Sequence, residues 1–161
     1  MKPTRTPQLA LRLDANAPDA TAAWSEGHRV AYLGGTLTLR IASCEHHARL
    51  DGAVLHLPLP PQPQGRQVQD AAEAWLRDAA RRHLGSVVAQ KSALAGRRPP
   101  RLTLSFAARG HWAEAHDATT LRCNWRLIEQ PPAVIEQVID RALATLPPAD
   151  AEADLFAALA G

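Results

Sequence analysis

The sequence predicts an α+β fold, and three observations carry that expectation. Short segments of alternating polarity separated by turn signals fill the first third of the chain. A long stretch with apolar residues at three- and four-residue steps follows. Two further strand-like segments then precede an amphipathic helix. Strands grouped beside helices, rather than alternating with them singly, indicate α+β and not α/β.

The elements are justified in chain order. Residues 9–13 alternate apolar and polar side chains, and residues 28–33 form a second strand candidate. Gly34-Gly35 marks a tight hairpin, because both glycines accept positive φ. Residues 36–41 return with leucines on one face. Asp51-Gly52 signals another hairpin between residues 48–50 and 53–57. This makes an antiparallel β-rich lobe. Residues 58–65 hold four prolines and close on Gly65, which breaks regular structure and divides a lobe at 1–64 from one at 65–161 within one compact domain.

Residues 67–95 read as one long helix, or two joined near Gly85, with Val68, Ala72, Trp75, Leu76 and Ala79 on one side. Glu73 with Arg77 and Asp78 with Arg82 are i,i+4 pairs with the acid first, the favourable order. Arg97-Arg98-Pro99-Pro100 ends that helix. Residues 101–107 form a strand with Leu102, Leu104 and Phe106 on one face, and 110–120 read as a polar loop. Residues 121–128 form the next strand, paired with 101–107 in a hairpin-like arrangement. A helix runs from Pro132, followed by Pro147-Pro148 and a short terminal helix from Asp150.

Composition bounds the function. A chain of 161 residues with 46% hydrophobic and 21% charged residues suits a globular domain with a real core. No apolar run reaches membrane-span length, and no apolar segment follows Met1-Lys2-Pro3-Thr4-Arg5, so the expected location is the cytoplasm. A net charge of +2, with acids interleaved among the arginines, disfavours a nucleic-acid-binding module. That module, using the arginines at 97–101, is kept as one alternative. Two cysteines, Cys44 and Cys123, make no disulfide framework, and each reads as a small buried hydrophobe. Cys44, Glu45, His46 and His47 read as a solvated strand, on which Cys44 and His46 share a face.

Four motifs occur in a fixed order: YLGGTLTLRI from Tyr32, VLHLP from Val54, AWLRDAARRHL from Ala74, and LRCNWRLIEQPPAVIEQVIDRALA from Leu121. Together they resemble the YgjP-like zinc metallopeptidase family over most of the chain. The family's last segment has the pattern N-W-R-L, then P-x-x-V-I-x-Y-V-V-x-H-E-L-A-H. The resemblance implies a zincin-like fold with a final active-site helix. It also implies that two helix histidines grip zinc while a glutamate activates its water.

The matching slot here reads Asp140-Arg141-Ala142-Leu143-Ala144, and the positions taken for the motif are Asp140, Arg141 and Ala144. Ala144 has no donor atom, and Arg141 is a permanent cation. The third family ligand has a counterpart only in Glu152. The family's R-W-G-S-C turn corresponds to His111-Trp112-Ala113-Glu114-Ala115, where the tryptophan alone is kept. Val134, Ile135, Val138, Ile139, Ala142, Leu143 and Leu146 nevertheless form a continuous apolar stripe. Burial still constrains this helix, whereas metal chemistry does not.

The expectation is a degenerate, non-catalytic family member without zinc, retained to bind a peptide or protein. Its cleft candidates are Trp112, Glu114, Trp125, Asp140 and Arg141. The alternative enzyme is a metal-dependent hydrolase with relocated ligands at His111, His116, Asp140 and Glu152. Active-site motifs of nucleophilic hydrolases and of nucleotide-binding loops are absent.

Overall fold

The computed structural model describes residues 24–148. The strand expected at 9–13 and the helix expected from Asp150 lie outside the described residues. The described chain falls into two compact units, 24–31 with 35–72 and 32–34 with 73–148. No helix among the described residues is long and apolar enough to cross a membrane.

The first unit is built on a four-stranded sheet of β1 (Arg29–Tyr32), β2 (Gly35–Ile41), β3 (Arg49–Asp51) and β4 (Val54–Leu57), in the order β1-β2-β4-β3. The Asp51-Gly52 turn forms as expected and makes β3 and β4 antiparallel, with Gly52 at φ 58°. β4, however, lies parallel to β2, with Leu39 opposite Leu55 and Ile41 opposite Leu57. The sheet is therefore mixed rather than antiparallel throughout. Burial explains the pairing: Leu37, Leu39, Leu55 and Leu57 are all buried, and setting β2 beside β4 aligns their apolar rows. Cys44 to His47 form a loop between β2 and β3 rather than a strand, and Cys44 is exposed rather than buried.

Helix α1 (Gly65–Leu94) begins in this unit and continues into the second. It is one uninterrupted helix across Gly85, where an added Cβ would meet only the Leu102 side chain, at 3.8 Å. Leu76, Ala79, Ala80, Leu84, Val87 and Val88 form its buried stripe in the second unit. Both expected i,i+4 pairs form, Arg77 to Glu73 at 3.3 Å and Arg82 to Asp78 at 2.7 Å.

The second unit carries a three-stranded sheet of β5 (Arg101–Ser105), β6 (Ala113–Asp117) and β7 (Thr120–Asn124), in the order β5-β7-β6. Three expectations are corrected. β5 and β7 pair in parallel, not as a hairpin. β6, read from sequence as part of a polar loop, is an antiparallel partner of β7. Its residues Ala113-Glu114-Ala115-His116-Asp117 contain no large apolar side chain, so the strand leaves no hydrophobic signal. The last strand stops at Asn124 instead of reaching residue 128. The Asn124 side chain accepts from Arg126 N at 3.0 Å and donates to Ala107 O at 2.9 Å, capping a 3-10 turn over Trp125–Glu129. Helix α2 (Pro132–Ala144) follows, with a proline at its first position, where the missing N–H removes no helix bond.

The Leu33-Gly34 turn also belongs to this unit. Positive φ falls on Leu33 (48°) and Gly34 (81°) rather than on the glycine pair, and Gly35 starts β2. Two outside acceptors hold the unusual leucine conformation: Leu33 N donates to Ile128 O at 2.8 Å, and Gly34 N donates to Glu129 O at 3.0 Å. A Cβ on Gly34 would stand 3.0 Å from Pro131 Cα. Gly34→Ala is expected to cost about 2 kcal/mol, read as a fall in urea midpoint with an unchanged slope.

Candidate binding site

Helix α2 presents two faces. Ile135, Val138, Ile139, Ala142 and Leu143 are buried, as their spacing predicts. Glu136, Gln137, Asp140, Arg141 and Ala144 are exposed. Lys91 near the end of α1 reaches two carboxylates of that second face, with Nζ 3.2 Å from Asp140 Oδ2 and 3.7 Å from Glu136 Oε2. Its hydrogen bond to Asp140 is the main reason its ammonium is held above the ordinary lysine range. Arg97 closes the far end of α2, donating to Leu143 O at 3.2 Å and, just past the helix, to Pro147 O at 3.0 Å.

Counted from Val134, the family pattern sets its His, Glu and His on Arg141, Ala142 and Thr145, one residue later than Asp140, Arg141 and Ala144. Ala142 is buried, and the Thr145 hydroxyl donates to Ala142 O at 2.6 Å. In both registers the helix offers no imidazole.

The other sequence candidates lie just before and on β6, which helix α2 contacts, and just after β7. Trp112 is buried, and its carbonyl accepts from Asn124 N at 2.8 Å. His111 is exposed just before β6, and Glu114 and His116 are exposed on it. Trp125 is buried. Glu152 lies outside the described residues. Among the described residues, no three His, Cys, Asp or Glu side chains are grouped so as to hold a metal ion. Cys123 is buried as expected, and burial pushes its thiol up to about 12, which makes it inert at neutral pH.

A second cluster escaped the sequence reading. The Arg77 guanidinium carbon lies 5.1 Å from the Phe106 ring centre and 5.3 Å from that of Trp125, so one cation meets two aromatic rings. Arg126 lies 5.7 Å from the Trp125 ring centre. Phe106 is 57% exposed. Glu129, at the end of the 3-10 turn, is buried, and its Oε2 has no hydrogen-bond partner among the described residues. Burial raises the Glu129 carboxyl to about 7; Arg126 opposes the rise and Glu73 reinforces it. The group can therefore hold or release a proton near neutral pH. Arg77, Trp125 and Arg126 lie inside the quoted motifs, but nothing in the sequence brings them to one place. Glu129 had only a faint signal, a charge ending an apolar run before prolines.

These elements define an α+β domain of the zincin-like type. A family model described as "YgjP-like, metallopeptidase domain" matches residues 8–139, and the chain belongs to that family. The matched segment stops one residue before Asp140. No curated protein and no solved structure matches the chain.

Proposed function

We propose that this chain is a YgjP-like metallopeptidase domain that no longer catalyses, retained to bind a peptide or protein segment. The observation that carries the reading is the Lys91 ammonium against Asp140 and Glu136. A dication beside Asp140 would have to displace that cation and would also face Arg141. Arg141, Ala142 and Ala144 supply no ligand and the Thr145 hydroxyl is taken up by Ala142 O, so zinc does not fit this helix in either register. The binding surface favoured here is the exposed Phe106 ring with the Arg77 guanidinium behind it, an apolar contact next to a charge.

The test is metal content after extensive dialysis of full-length protein, with peptidase assays in added zinc and nickel. Zinc far below one equivalent and no peptide cleavage are expected. One equivalent of tightly held metal together with cleavage overturns the reading.

A further inference from the structure

A cavity of about 480 Å³ opens in the second unit where four chain segments meet. These are the loop after α1, the start of β5, the turn between β6 and β7, and the residues after α2. Its volume lies within the range of small-molecule sites. Among the described residues, three arginines line it, Arg97, Arg98 and Arg101, and no carboxylate does. Arg97 is fixed by its two carbonyl partners, and its Nε–H is buried without an acceptor. Among the described residues, neither Arg98 nor Arg101 has a side-chain partner. The acid beside the cavity, Asp117, is taken up by Thr119, accepting from its N at 2.8 Å and from its hydroxyl at 3.1 Å. Pro99, Pro100, Pro147 and Pro148 complete the walls. Their fixed φ angles reduce the ordering that binding would require.

We propose that this cavity binds a small phosphate-bearing ligand, its phosphate gripped by Arg98 and Arg101 beside the fixed Arg97 and its organic part lying on the proline walls. Guanidinium groups match phosphate oxygens through paired, charge-assisted hydrogen bonds. The whole chain carries only +2, which favours a small ligand over a nucleic-acid strand. The site is independent of the metal question.

The experiment is titration calorimetry of the full chain at low salt with inorganic phosphate, adenosine monophosphate, adenosine and a single-stranded oligonucleotide. The variants are Arg98→Ala/Arg101→Ala, and Asp150→Asn/Glu152→Gln/Asp154→Asn. The second neutralises acids that follow Pro148 in sequence. The monophosphate is expected to bind, and adenosine is not. The double arginine variant should bind the monophosphate about tenfold or more weakly while keeping the wild-type melting curve, because both side chains are exposed. Equal binding of adenosine, or equal binding by the double arginine variant, overturns the proposal. So does an absence of phosphate and monophosphate binding in both wild type and the acid-neutralised variant. Salt-sensitive binding of the oligonucleotide alone assigns the arginines to nucleic acid and likewise overturns it.

Discussion

Glu129→Gln is expected to stabilise the protein above neutral pH by up to about 3 kcal/mol and to flatten its pH dependence. The wild-type carboxyl titrates at 4.5 in the unfolded chain and near 7 in the folded one. Below 4.5 it is neutral in both states and has no effect. As pH rises from 4.5 through 7, the unfolded chain releases the proton while the folded chain keeps it, so folding stability falls. Above 7 the loss is complete and constant. Glutamine keeps the shape and removes the charge, so the penalty for burying a charge disappears and only the smaller cost of a buried amide remains. Urea midpoints at about pH 5 and about pH 8 should converge in the variant and differ in wild type. A wild-type stability that does not fall across this window would show that Glu129 reaches water or a partner when ionised.

The second large effect separates the two faces of α2. Ile139→Ala is expected to cost about 3–4 kcal/mol, because Ile139 is fully buried and truncation leaves a cavity that the helix cannot fully close. Its neighbour Asp140→Asn should cost much less than Ile139→Ala, since the Lys91 pair it weakens is solvated. Denaturation of both variants checks the contrast. It speaks directly to the proposed function, because the stripe is held by packing and the outer face carries a modest ion pair. A larger loss from Asp140→Asn than from Ile139→Ala would show that the outer face, not the stripe, fixes this helix.

Much of the architecture was legible because it follows from local periodicity. The 3.6-residue spacing of α1 and α2, the Asp51-Gly52 hairpin and the acid-first ion pairs all act between near neighbours, and all form. The family followed from motif order, a property of the chain itself. The misreadings share a cause. β6 carries only small and polar residues, and the parallel pairings of β2 with β4 and β5 with β7 depend on which apolar rows meet across long separations.

The candidate site divides in the same way. Sequence alone determined that α2 carries an unbroken apolar stripe and that its outer face lacks paired histidines, because side-chain identity and spacing are enough to decide both. Only the tertiary structure decided that Lys91 meets Asp140, that Arg77 lies over both Phe106 and Trp125, and that Glu129 Oε2 is buried with no hydrogen-bond partner among the described residues. Coulomb and desolvation energies depend on distance and burial, and both are set when remote segments pack together.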